Sequence, residues 1–156
     1  MKSLRPIGIF FFLIILLYGS AMIHADNQSA KIVIFSKGDS ANEQYLDNVV
    51  AGAPFWTPTK AQITELEKLI EPFLKSHPPA DKRTINFSAY GRQYYGVTKG
   101  GKQYIFLNAF CDPKSFDKDA LRKRMIMVMD GGSCYFQVFF DPIKKEFSDL
   151  RYNGVA

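Results

Sequence analysis

The spacing of hydrophobic positions along this chain changes period, and the change separates two kinds of element. From Trp56 the stretch WTPTKAQITELEKLIEPFLKSHPP sets Ile63, Leu66, Leu69, Ile70, Phe73 and Leu74 at intervals of three, four and seven, with Glu65, Lys68 and Lys75 opposite them. That stripe predicts an amphipathic helix with one buried face. Thr57 before Pro58, or Thr59 with Gln62 three residues on, supplies its cap, and Pro78 and Pro79 end it. Pro72 has no amide hydrogen and crowds the preceding turn, so a kink or a tightened last turn is expected there.

From Thr84 the period falls to two. In INFSAYGRQYYGV the odd positions Ile85, Phe87, Ala89, Tyr95 and Val97 are mostly apolar, and Asn86, Ser88, Tyr90, Arg92 and Tyr94 fall between them. This predicts a half-buried strand with its odd residues on the helix and its even residues toward solvent. Thr98 to Gly101 forms a hairpin turn into a second strand, KQYIFLNAF. CDPKSFDKDALRK reads as a connection with a short helix, and RMIMVMDGGSCYFQVFFD as strand-rich, with a turn at Asp130 to Gly132. A turn at Pro142 to Lys145 leads to a last strand in EFSDLRYNG. Ahead of the helix, KIVIFSK is a short strand or extended arm, and the stretch from there to Ala53 reads as loop with a turn of helix. One long helix followed by strands gives an α+β class: a helix packed on a four- to five-stranded antiparallel sheet.

The first residues alter the compartment assigned to the chain. Lys2 and Arg5 precede an apolar run from Ile7 that meets no charge until Asp26. This predicts a signal peptide over 1–25, cleaved after Ala25, and a single domain over 26–156 that is periplasmic or secreted. The competing reading is an uncleaved anchor, since the run from Ile7 to Ile23 is near the minimum for crossing a bilayer. Membrane contact is expected only in that case. Two of the 20 basic residues lie in the leader against none of the 15 acidic ones, so the remainder is mildly basic. Its densest basic cluster, Leu121 to Arg124, follows Asp117 and Asp119, which argues for a solvated helical turn and against nucleic-acid binding.

GGSCY, Gly131 to Tyr135, comes close to a thiol-protease signature. A cysteine nucleophile needs a base, however, and the one histidine beyond the leader, His77, lies upstream in a proline-bearing loop. Cys111 and Cys134 in an exported domain pair more simply as a disulfide. In a plain meander with a hairpin at Asp130 they would fall at opposite ends of strands that rise about 20 Å over six residues. Either Gly131 and Gly132 bulge one long strand, or the connection from Cys111 to Lys123 crosses over, or the thiols are free. Met125, Met127 and Met129 alternate as soft-metal ligands would, but core packing is the stronger reading, so no metal is expected. Nothing in the sequence brings Asp130 and Asp149 together as an acid and base, and no motif calls for a cofactor.

WTPT (Trp56 to Thr59), RQYYG (Arg92 to Gly96), NAFC (Asn108 to Cys111), DGGSCYF (Asp130 to Phe136) and NGVA (Asn153 to Ala156) together resemble a family of small exported bacterial proteins. That resemblance implies no activity. The order of a strand, a helix and then antiparallel strands is also similar to the cystatin-like fold, although the inhibitors' Q-x-V-x-G hairpin motif is absent.

The expected function is binding without catalysis, directed at a protein, peptide or envelope component outside the cytoplasm. The expected surface is the solvent face of the sheet: Tyr90, Arg92 and Tyr94, continued by Tyr104 and Asn108 and by Tyr135 and Gln137. Aromatic rings bring contact area at small entropy cost, and the polar groups orient a partner. The competing expectations are that the N-terminal arm covers this face, that a hydrolase-like pocket lies between helix and sheet, or that the protein inhibits a protease.

Overall fold

A mixed six-stranded sheet carries the fold in the computed structural model, which describes residues 31–39, 43, 45, 46 and 54–154; the leader over 1–25 lies outside these. The strands are β1 (Ile32–Ile34), β2 (Phe55–Trp56), β3 (Gly91–Lys99), β4 (Lys102–Phe110), β5 (Tyr135–Asp141) and β6 (Glu146–Tyr152). The helices whose full bounds are described are α1 (Lys60–Ser76) and the short α2 (Lys118–Lys123), and Glu43, Tyr45 and Leu46 are also helical. Strands β3 to β6 are antiparallel neighbours in sequence order. On the outer side of β3, β1 pairs in parallel with Arg92 to Tyr94 and β2 pairs antiparallel with Gly96 and Val97. The sheet is therefore larger than the sequence indicates and is not purely antiparallel.

The helix forms where its pattern places it. Thr59 is the cap, its hydroxyl accepting from the Gln62 amide while the Gln62 side chain accepts from the Thr59 amide. Ile63, Leu66, Ile70 and Leu74 bury the stripe, and the helix runs through Pro72 to Ser76. They meet Tyr94, Ile105, Leu107, Ala109, Phe136, Val138 and Phe140 from the sheet. Removing each of these helix side chains from water contributes roughly 1.5–3 kcal/mol.

Strand β3 is buried on both faces, and its parity is the reverse of the expected one. Tyr94 points to the helix, and Gln93, Tyr95 and Val97 point away from it. The reason lies upstream. Phe87–Ala89 form a 3₁₀ turn and not strand, so the apolar alternation from Ile85 to Ala89 says nothing about the face on which Tyr94 lies. The hairpin to β4 turns on Gly100 and Gly101, whose φ values of 57° and 76° are those of a two-residue primed turn. At Gly96 the need for glycine is steric: a Cβ there would overlap the Trp56 ring and carbonyl that hold β2 in place.

RMIMVM is not a strand. After α2 the chain runs as an extended strap, Arg124 to Asp130, across the sheet face opposite α1, with Met125 and Ile126 buried beneath it. The return from Cys111 to Cys134 thus passes over that face and arrives beside its starting point. Cys111 and Cys134 form a disulfide with Cα atoms 5.0 Å apart, and the Cys111 amide donates to the Cys134 carbonyl at 2.8 Å. Of the alternatives the sequence leaves open, the crossing connection is the one that forms.

Candidate functional site

The seven residues expected on one exposed face are divided between two faces, and most are occupied internally. Residues directly opposite one another in antiparallel strands share a face, so Asn108 and Gln137 lie with Gln93 on the side away from α1, as do Tyr104 (opposite Val97) and Tyr135 (opposite Phe110). Tyr90, Arg92 and Tyr94 lie on the helix side. Tyr94 is 0 % exposed and Asn108 4 %.

On the helix side, the Tyr94 hydroxyl donates to Glu67 Oε1 at 2.8 Å, and Arg92 Nη1 sits 3.1 Å from the same oxygen. Burial, reinforced by the Glu67 charge, pushes the Tyr94 phenol well above its ordinary value. The Arg92 guanidinium lies 5.1 Å from the centre of the Phe87 ring, and its buried Nε has no partner among the described residues. One α1 carboxylate is thereby neutralised at the sheet edge. Tyr90 donates to the Ser133 carbonyl at 3.0 Å.

On the other face, side-chain amides clasp the strap. Gln93 Nε2 donates to the Leu121 and Arg124 carbonyls at 2.9 and 2.8 Å, and Gln93 Oε1 accepts from the Ile126 amide at 2.8 Å. Asn108 Nδ2 donates to that same Oε1 at 3.1 Å and to the Ile126 carbonyl at 2.8 Å. Asn153, just beyond β6, donates to the Val128 and Asp130 carbonyls. Gln137 hydrogen-bonds the Tyr45 phenol, whose pKa is raised by burial and partly offset by that bond. Tyr104 and Tyr135 are half-buried against the clusters around Phe106 and Phe110.

A second cluster lies where the loop after α1 meets the disulfide. Asp81 Oδ2 accepts from the Ser133 hydroxyl at 2.8 Å and from its amide at 3.1 Å. These bonds, the hydroxyl first, hold the Asp81 carboxyl below its ordinary value. Asp81, Ser133, Arg151, Tyr152 and Asn153 line an open cleft of about 430 Å³. Burial raises the Tyr152 phenol to about 12. A carboxylate of lowered basicity beside a serine only 1 % exposed makes a poor base and an inaccessible nucleophile. The arrangement ties the α1 exit loop to Cys134. Among the described residues no three of His, Cys, Asp and Glu group as metal ligands.

The groove beside β1 is different in kind. The parallel pairing with β3 uses the Lys31 carbonyl, which accepts from the Arg92 amide at 2.7 Å, and the Phe35 amide, which donates to the Tyr94 carbonyl at 2.9 Å. Alternation along a strand then directs the amides and carbonyls of Ile32 and Ile34 outward. No described strand pairs with that edge. The same two isoleucines, with Ile63, Thr64, Lys60 and Glu67 of α1, line an open groove of about 440 Å³. Sequence reasoning passes over it because β1 and α1 come together only through β3. The one available signal is the β-branched run IVI in KIVIFSK.

Comparison of the chain with family models, curated proteins and solved structures finds no match.

Proposed function

We propose that this is an exported binding module that takes up an extended polypeptide segment of a partner by strand addition at β1. The observation that supports it is the coincidence of an apolar groove with a strand edge to which no described strand pairs: Ile32 and Ile34 offer main-chain donors and acceptors outward and line the groove with their side chains. Strand addition draws affinity from main-chain bonds and specificity from alternate side-chain pockets. The partner segment would place apolar, preferably β-branched, side chains against Ile32, Ile34 and Ile63, and an acidic or hydroxyl group near Lys60 and Thr64. The Cys111–Cys134 disulfide is compatible with an oxidising compartment, and no helix among the described residues is long and apolar enough to cross a membrane. The disulfide supports export. We read the architecture as cystatin-like on the strength of one helix against consecutive antiparallel strands.

The test is selection of peptides from a random library on the disulfide-bonded domain, followed by the Ile34→Pro variant. Proline at an outward-facing edge position removes only a donor that β3 does not use. Selected peptides should lose at least about ten-fold in affinity, one good hydrogen bond's worth, with the thermal transition nearly unchanged. Peptides that bind Ile34→Pro as well as the parent would place the site elsewhere.

A further inference from the structure

Every methionine beyond the leader lies on the strap, and the strap treats them unequally. Met125 is 5 % exposed and packs in the cluster with Tyr95, Phe106 and Phe139. Met127 is 54 % exposed and Met129 91 %. Core packing therefore accounts for the first thioether and not for the other two. Their backbone is fixed all the same: Gln93 and Asn108 hold Ile126, and Asn153 holds Val128 and Asp130 on either side of Met129. Large apolar side chains projecting from a pinned segment are rare on this surface; Ile143 is the third exposed one among the described residues.

We propose that Met127 and Met129 form a reversible oxidation site that takes oxygen from peroxides, with Met125 spared by burial. The thioether lone pair attacks a peroxide oxygen, an S–O bond forms as the O–O bond breaks, and the departing hydroxide takes up a proton. Sulfur is oxidised by two electrons to the sulfoxide, and hydrogen peroxide is reduced to water. Two features of the site suit this role. Neither side chain is among those filling the hydrophobic clusters, so a polar sulfoxide disturbs no packing. Both remain open to a sulfoxide reductase after the reaction, which makes the change reversible. The disulfide is compatible with an oxidising compartment.

The experiment treats the disulfide-bonded domain with hydrogen peroxide and follows each methionine by peptide-level mass spectrometry, with thermal unfolding measured at each stage. Two oxygens should be taken up, at Met129 and Met127, while Met125 reacts more than about ten-fold more slowly. The melting temperature should stay unchanged through those two additions, and methionine sulfoxide reductases with a thiol reductant should remove both oxygens. The double variant Met127→Leu and Met129→Leu should abolish the fast uptake. Oxidation of all three residues at one rate, a fall in melting temperature on the first additions, or sulfoxides that resist the reductases would each overturn the proposal.

Discussion

The two faces of the sheet are covered by different means. One is met by α1, a regular element whose backbone bonds are made within itself and whose apolar stripe needs only a flat surface. The other is met by an irregular strap whose main chain has no such supply. Five of its main-chain groups, the Ile126 amide and the Arg124, Ile126, Val128 and Asp130 carbonyls, are satisfied by Gln93, Asn108 and Asn153, three side chains from three places in the chain. Burying unpaired backbone costs more than a typical hydrogen bond returns, so a strap is tolerated only where polar side chains reach up from the sheet to meet it. A helix can be replaced by another helix of similar pattern. The strap depends on individual residues.

Substitutions on each face test that difference. The largest effect is expected on the helix face: Phe136→Ala removes a fully buried ring between α1 and the sheet and should cost about 3–5 kcal/mol in urea unfolding. Next comes the cross-link at the ends of the strap's connection. Replacing Cys111 and Cys134 together by serine frees partners 23 residues apart and should cost roughly 3 kcal/mol. Gln93→Ala should follow at about 2 kcal/mol, since it strands the Ile126 amide and the Leu121 and Arg124 carbonyls. The readout that separates it from a packing loss is hydrogen exchange. Amides from Leu121 to Asp130 should exchange faster while those of α1 keep their protection, and equal loss in both would show that the two covers are not independent.

The smallest effect is electrostatic. The Asp81 carboxyl has a folded pKa below its unfolded one, so its contribution is complete above the ordinary carboxylate range and is lost as pH falls toward the lowered value. Asp81→Asn should therefore lower stability slightly at neutral pH, leave it nearly unchanged in acid, and so flatten the acid limb of the stability profile. An acid limb as steep as the parent's would mean that the Ser133 contacts do not hold the charged form.

The same contrast explains what could be read from the sequence. Helix α1 was legible to within two residues of its start, with Thr59 one of two candidate caps, because Thr59, Gln62 and the apolar stripe are local, and the hairpin was legible because Gly100 and Gly101 are adjacent. The strap was not. Alternating Met, Ile and Val resembles a strand, and nothing near RMIMVM in sequence shows that Gln93 and Asn153 will take its main-chain bonds. Tyr90, Arg92 and Tyr94 do share a face as their spacing indicates, but which face depended on where the strand began, and the 3₁₀ turn at Phe87–Ala89 conceals that start. The groove at β1 rests on a parallel pairing across some sixty residues of chain, for which no local pattern exists.

Trp56 gives the molecule a built-in optical probe. It is the single tryptophan in the chain; its indole rests on Gly96, and its N–H donates to the Val97 carbonyl at 3.1 Å. It lies along the same side of β3 that β1 occupies a few residues earlier. Tryptophan emission therefore comes from one half-buried chromophore on β2, next along β3 from the strand proposed to receive a partner. A shift in its emission on adding peptide would report, without a label, changes transmitted along β3 from β1.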